Sequence, residues 1–167
     1  MRLLKKIKGS VLWLYKSNKY SAENLIKEAI KRNVDPKRVI FATKLPLLKD
    51  HLARYALGDL GLDTFNYNGH ATTSDALWAG LPVLTKMGKS YSARVSASLL
   101  NTIGLKDLIT YSVKEYEEKA LCLAEDPAKL KSLKFQLAKS IKTSSLYDSG
   151  LFTNCLLYTS PSPRDNR

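Results

Sequence analysis

Short apolar runs alternate along the chain with amphipathic stretches. Val11 to Tyr15, Val39 to Ala42 and Pro82 to Thr85 are nearly continuous apolar runs, the pattern of strands buried in a parallel sheet. Leu60 to Phe65 is a compact run of the same kind that reaches an aspartate, Asp63. Leu108 to Thr110 predicts one more short strand. Between the strands the apolar positions recur at helical spacing. Leu3 to Ile7 predicts a short helix. Ser21 is placed to cap a helix over Ala22 to Arg32 that turns Leu25 and Ala29 inward and stops at Asn33. Asp50 to Leu57 predicts a helix packing Leu52, Ala53 and Ala56, and Tyr91 to Leu100 predicts another, with Gly104 following as its stop.

Two later helices carry explicit start signals. Ser112 followed by Glu115 forms a capping box for a helix through Ala124, with Tyr116, Ala120 and Leu121 on one face. Asp126-Pro127 opens a helix with Leu130, Leu133 and Leu137 inward. Strands alternating with helices imply an α/β fold, a Rossmann-like half-domain with a doubly wound parallel sheet.

The stretch Gly61 to Thr85 joins strand, turn-forming loop, short helix and strand. Asn66 to Gly69 are turn residues. Thr72, Thr73 and Ser74 are candidate caps for a helix opening near Asp75, and Gly80-Leu81-Pro82 ends it. Trp78 on that helix reads as core. A helix start just beyond a strand offers free N–H groups at the sheet's C-terminal edge, where α/β folds bind phosphates.

Composition adds bounds. The 167 residues, 44% apolar, suffice for one packed domain. The net charge of +12 raises nucleic acid, anionic lipid or a phosphorylated ligand as partners. The lysines are dispersed and lack interleaved aromatics, so a solvated basic surface is the simpler reading and nucleic acid is disfavoured. No segment is apolar for long enough to span a membrane. Cys122 and Cys155 fit no metal or disulfide pattern, so a reducing compartment is the default. Neither a GxGxxG nor a P-loop motif is present, which disfavours a dinucleotide dehydrogenase and a P-loop ATPase.

The candidate chemistry concentrates near the central loop. His70 stands beside the helix start, where it could donate to a phosphate or lie idle on the surface. His51 opens a helix, where its ring could stack on a base or cap local backbone. Thr72 and Thr73 could donate to a diphosphate or act as caps. Asp75 could grip ribose hydroxyls or simply complement the helix dipole. Lys44 and Lys49 could neutralise phosphate. Asp63 reads as support for the loop, accepting its backbone N–H groups.

The motif NYNGHATTSDALWAGLPVLT, followed by SARVSASLL and GLKDLI, closely resembles the C-terminal catalytic lobe of the protein O-GlcNAc transferase and SPINDLY type of glycosyltransferases. VLWLY, PKRVIF, KDHLARYALGDLGLDTF and VKEYEEKALCLAEDPAKL fit that lobe in the same order. The resemblance covers roughly Leu3 to Phe152. It implies the C-terminal nucleotide-sugar-binding lobe of a GT-B fold. It also implies inverting transfer of N-acetylglucosamine from UDP-N-acetylglucosamine to serine or threonine of acceptor proteins, with no required metal and no other cofactor. His51 then matches the histidine against the uracil, His70 the one beside the diphosphate, Thr72 a phosphate donor and Asp75 the ribose-binding aspartate.

The sequence also departs from the family pattern. Ala71 replaces one of two threonines, leaving Thr73 as the possible substitute, and Leu48 takes the place of a ribose-contacting lysine, with Lys49 beside it. The family's Gln-x-x-Lys segment, N-terminal domain and tetratricopeptide repeats, which bind the acceptor protein, are not represented. Residues 1–153 are thus expected to be part of a donor-binding lobe with little activity alone. Residues 154–167 resemble translated adapter sequence and are expected to be a disordered or non-native tail. The expected location is cytoplasmic, or nucleocytoplasmic in a eukaryote. Alternatives are a fragment of a GDP-fucose protein O-fucosyltransferase and a non-catalytic basic partner-binding module.

Overall fold

The computed structural model describes residues 1–159, whose regular structure comprises eight α-helices, five strands and four short 3-10 turns. Helix α1 (Arg2–Lys6) precedes strand β1 (Leu12–Tyr15), helix α2 (Lys19–Lys31) and strand β2 (Val39–Ala42). The β1–β2 pair is parallel, with Leu12 opposite Val39 and Tyr15 opposite Ala42. Leu4, Ala29, Val34 and Val39 form the small core of this unit, joined by Leu12, Leu14 and Ile26.

Helix α3 (Leu48–Tyr55) leads to strand β3 (Gly61–Leu62), helix α4 (Ala71–Trp78) and strand β4 (Val83–Lys86). Helix α5 (Val95–Thr102) and strand β5 (Ile109–Thr110) follow, then helices α6 (Val113–Glu125), α7 (Pro127–Ile141) and α8 (Ser149–Thr159). Strands β3, β4 and β5 form a parallel three-stranded sheet in that order. β4 is its centre: Val83, Leu84 and Thr85 are all buried. Leu77, Leu100, Leu108, Leu123 and Leu137 pack around it as the main core.

The α/β class holds, but the strands divide into two parallel sheets, β1-β2 and β3-β4-β5, instead of one. β1 accordingly is not buried on both faces. Its burial alternates, Leu12 and Leu14 being the more covered, while Trp13 and Tyr15 remain 38% and 54% exposed. Asn18 caps α2, its side chain accepting the Ser21 N–H at 2.8 Å, so Ser21 lies inside the helix it was expected to open. Asn33 does end the region, at φ +52°. α3 starts at Leu48 and leaves Ala53 and Ala56 exposed.

α4 starts at Ala71, four residues before the expected position. That phase turns Thr73, Ala76 and Leu77 into the core and Trp78 outward, 53% exposed, with ring centroids 4.9 Å apart between it and Tyr147. The expected helix from Tyr91 is divided at Arg94 into a 3-10 turn and α5. Gly104 follows α5 with φ +80°, a left-handed stop that glycine adopts without strain.

The α6 capping box forms as its sequence dictates. Ser112 Oγ accepts the Glu115 N–H at 3.1 Å, and Glu115 reaches back to accept the Tyr111 N–H at 3.0 Å. That backbone N–H and the Ser112 hydroxyl hold the Glu115 carboxyl below its ordinary range. Ser112→Ala is expected to lower stability by about 1 kcal/mol in urea unfolding; an unchanged midpoint would show that α6 is fixed by packing alone.

α8 carries regular structure from Ser149 to Thr159, across the expected tail boundary, with 151–159 exposed; the rest of that tail lies outside the described residues. Among the described residues no helix is long and apolar enough to cross a membrane.

Candidate functional site

The site is built on the β3–α4 loop. Asp63, just past β3, organises it. Its Oδ1 accepts the N–H groups of Thr64 at 2.9 Å and Gly69 at 2.7 Å, and its Oδ2 accepts the Thr85 hydroxyl at 2.6 Å. The support role expected of Asp63 is thus realised by three bonds to one carboxylate. Tyr116 adds a bond from its hydroxyl to the Asp63 carbonyl, and burial beside that carboxylate pushes the phenol pKa well up. Asn68 is buried and donates through Nδ2 to the Thr64 carbonyl at 2.7 Å.

Gly69 brings the loop down onto the start of α4. A Cβ there would stand 2.4 Å from Thr73 Oγ1 and 2.7 Å from Thr72 Oγ1. Helices α2, α6 and α7 have side-chain caps, whereas α4 begins at His70 with none. Among the described residues the N–H groups of Ala71, Thr72 and Thr73 have no acceptor outside the helix, and a first turn provides none within it. Three free donors at the positive end of a helix dipole make an anion site.

His70 stacks on Tyr67 with centroids 4.8 Å apart and planes 15° apart, and Tyr91 meets it edge-on at 6.0 Å. Its Nε2 is buried and has no hydrogen-bond partner. Such an atom costs about 1–3 kcal/mol unless something pairs with it. Tyr67 and Tyr91 were not singled out in the sequence; an aromatic three residues before the histidine is the one local signal for the stack.

The structure separates the two threonines. Thr72 is exposed on the first turn of α4. Thr73 is 4% exposed, and its hydroxyl pairs with Ser96 at 2.9 Å; Ser96 in turn donates to the Gly69 carbonyl at 2.9 Å. The Thr73 hydroxyl, expected as a possible substitute for the threonine replaced by Ala71, is engaged by Ser96 in this structure. Through Ser96 it ties α4, α5 and the loop together.

His51 sits in the first turn of α3, a helix that packs against α4. Arg54 donates to its Nδ1 at 2.5 Å and to the Thr43 carbonyl at 2.6 Å. Arginine cannot accept, so Nδ1 carries the lone pair and the His51 proton is on Nε2. Tyr55, one turn on, meets the His51 ring edge-on at 5.4 Å. Burial raises the Tyr55 pKa first, with the Asp75 carboxylate adding to it, and Tyr147 across the helix responds to burial and to Asp75 in the same sense. Asp75 is half-buried on α4. Arg54 and Tyr55, which meet the His51 ring, are neighbours that local sequence pattern does not flag. Lys49 is exposed on α3 and makes no ion pair among the described residues. Among those residues no three His, Cys, Asp or Glu side chains gather in a metal-binding group.

Parallel α/β units with an uncapped helix beyond a strand end, held by a carboxylate-anchored loop, define a Rossmann-like half-domain. The chain belongs to glycosyl transferase family 41, whose family model matches residues 1–156. It is 36% identical over 148 residues to the probable UDP-N-acetylglucosamine–peptide N-acetylglucosaminyltransferase SEC of Arabidopsis thaliana, an alignment covering 88% of this chain and 15% of that protein. It is 30% identical to the UDP-N-acetylglucosamine–peptide N-acetylglucosaminyltransferase of Caenorhabditis elegans, covering 89% of this chain and 13% of the relative. Among solved structures, a mutant of the Thermobaculum terrenum O-GlcNAc transferase superposes with a TM-score of 0.86 at 31% identity, covering 94% of this chain and 31% of that one. The chain thus spans less than a third of each of these proteins.

Proposed function

We propose that this chain is the UDP-holding part of an inverting glycosyltransferase that moves N-acetylglucosamine from UDP-N-acetylglucosamine to serine or threonine hydroxyls of acceptor proteins. The observation that carries the reading is the uncapped start of α4 beneath Gly69, beside the unpartnered Nε2 of His70. The relatives named above act on peptides with that donor, according to their names.

In this reading the diphosphate sits on the N–H groups of residues 71–73, with Thr72 Oγ1 and His70 Nε2 as further donors. His51 packs on the uracil while Arg54 fixes its ring. Asp75 accepts the ribose hydroxyls, and Lys49 supplies positive charge from the rim. The acceptor hydroxyl attacks the anomeric carbon and the bond to the diphosphate oxygen breaks, leaving charge on UDP. Donors already fixed in place stabilise that charge without reorganising. These donors take the role a metal would otherwise have, so the reading calls for no metal and no other cofactor. The base that receives the acceptor's proton is not assigned to this chain, and acceptor binding is assigned to regions outside residues 1–167. The proposed setting is the cytoplasm, extended to the nucleus in a eukaryote.

Calorimetric titration with UDP and with GDP tests the proposal. Saturable UDP binding is expected, with His51→Ala and Asp75→Ala each weakening it about tenfold, or about 1.4 kcal/mol. Preference for GDP, or no binding of either by folded protein, would overturn it.

A further inference from the structure

The imidazole of His70 hangs from the residue that precedes α4, yet it makes no capping bond there. Its Nε2 is buried without a hydrogen-bond partner. Such a ring turns about two single bonds. An imidazole N–H donates only along its own direction, so the turn of the ring decides whether Nε2 meets an anion. Nε2 contributes nothing to fixing that turn, which leaves the ring's aromatic neighbours to do so.

Tyr67 lies face to face with the imidazole, centroids 4.8 Å apart and planes 15° apart. Tyr91, from the loop after β4, meets it at 85° with centroids 6.0 Å apart. Both separations fall in the roughly 4.5–7 Å range over which aromatic rings attract one another. The face-to-face contact restricts the imidazole most, because tilting the ring in either sense drives one edge into Tyr67. The Asn68 N–H donates to the Ser92 carbonyl at 2.8 Å, and this bond ties the Tyr67 loop to the turn that carries Tyr91.

The loop itself is held by other groups. Asp63 accepts the Gly69 N–H at 2.7 Å, and Asn68 Nδ2 donates to the Thr64 carbonyl at 2.7 Å. The Tyr67 ring takes no part in these bonds and belongs to neither hydrophobic core. Tyr67 is 65% exposed, so it buries too little surface to matter much for stability. A large ring kept at the surface against one partner, in a loop that is anchored without it, acts on that partner.

We infer that Tyr67 is a positioning residue for diphosphate binding, on the reading of His70 given above: its ring holds the imidazole in the orientation that presents Nε2 to phosphate oxygens. Tyr91 limits the ring's swing from a second direction. Tyr67 acts through His70 and not on the ligand. Its contribution is that the imidazole is already ordered when UDP arrives, so binding does not have to order it.

Calorimetric titration of the full chain with UDP, run as a double-mutant cycle, tests this. Tyr67→Leu is expected to weaken UDP binding about threefold to tenfold, the worth of one aromatic pair. Tyr67→Phe keeps the ring and is expected to bind as the parent does. In a His70→Ala background the Tyr67→Leu change should cost less than about twofold, because the partner it acts through is gone. A second readout does not depend on affinity. The His70 ring protons lie against the Tyr67 face, so their NMR signals are expected upfield in the parent and in Tyr67→Phe, and to move downfield in Tyr67→Leu. Unchanged affinity of Tyr67→Leu, an equal loss in both backgrounds, an equal loss in Tyr67→Phe, or ring signals that stay in place would overturn the inference and leave UDP binding standing. Absence of UDP binding by the folded parent would remove the reading of His70, and the role of Tyr67 with it.

Discussion

Gly69→Ala is expected to lower UDP affinity by more than tenfold while the chain still folds. The added Cβ would stand 2.4 Å from Thr73 Oγ1, far inside van der Waals contact. Thr73 cannot rotate away without losing its bond to Ser96, and that pair is buried. The loop must therefore lift from α4. Lifting moves His70 and the loop backbone beside the free N–H groups of residues 71–73, which is the proposed anion site. The stability loss should be in the range of overpacking, about 1–3 kcal/mol, because the main core around β4 is not touched. Thermal melting and UDP titration on the same sample separate the two effects. Unchanged UDP affinity would show that the loop does not shape the site.

Asp63→Ala should have the larger effect on stability. Three donors lose their acceptor at once: two loop N–H groups and the Thr85 hydroxyl, which is fully buried on β4. The loop amides can turn to water, but Thr85 cannot. Hydrogen bonds to a charged acceptor are worth about 1.5–3 kcal/mol, and an orphaned buried donor costs about 1–3 kcal/mol. A loss of about 3 kcal/mol in denaturant unfolding is expected, together with weaker UDP binding as Gly69 is released. Asp63→Asn retains an oxygen for the N–H pair, and the Thr85 hydroxyl can turn to accept from the new amide, so it should fall in between. An Asp63→Ala variant within about 0.5 kcal/mol of the parent would remove Asp63 as the anchor.

The two variants also explain how the site's parts became legible to different degrees. Asp63 could be assigned from sequence because its work is local: a carboxylate at a strand end meets the N–H groups of the turn it enters. Thr73 could not. Three consecutive hydroxyl residues look alike in sequence, and which one faces the ligand depends on helix phase. That phase is set by where α4 starts. The start lacks a side-chain cap, so the usual local signal pointed to a position further along.

The sequence by itself determined what rests on neighbours within one turn. This includes the Ser112–Glu115 capping box, the Asp126-Pro127 helix start, the left-handed stop at Gly104 and the identity of each strand. The family resemblance was also legible, because its motif is contiguous. Tertiary structure alone decided what depends on residues far apart in the chain. It turned Thr73 toward Ser96 and exposed Trp78, it set Arg54 and Tyr55 against the His51 ring, and it divided the strands into two parallel sheets where one was expected. Caps and turns are fixed by backbone geometry over a few residues. Burial, side-chain partners and strand pairing are fixed only when distant segments meet.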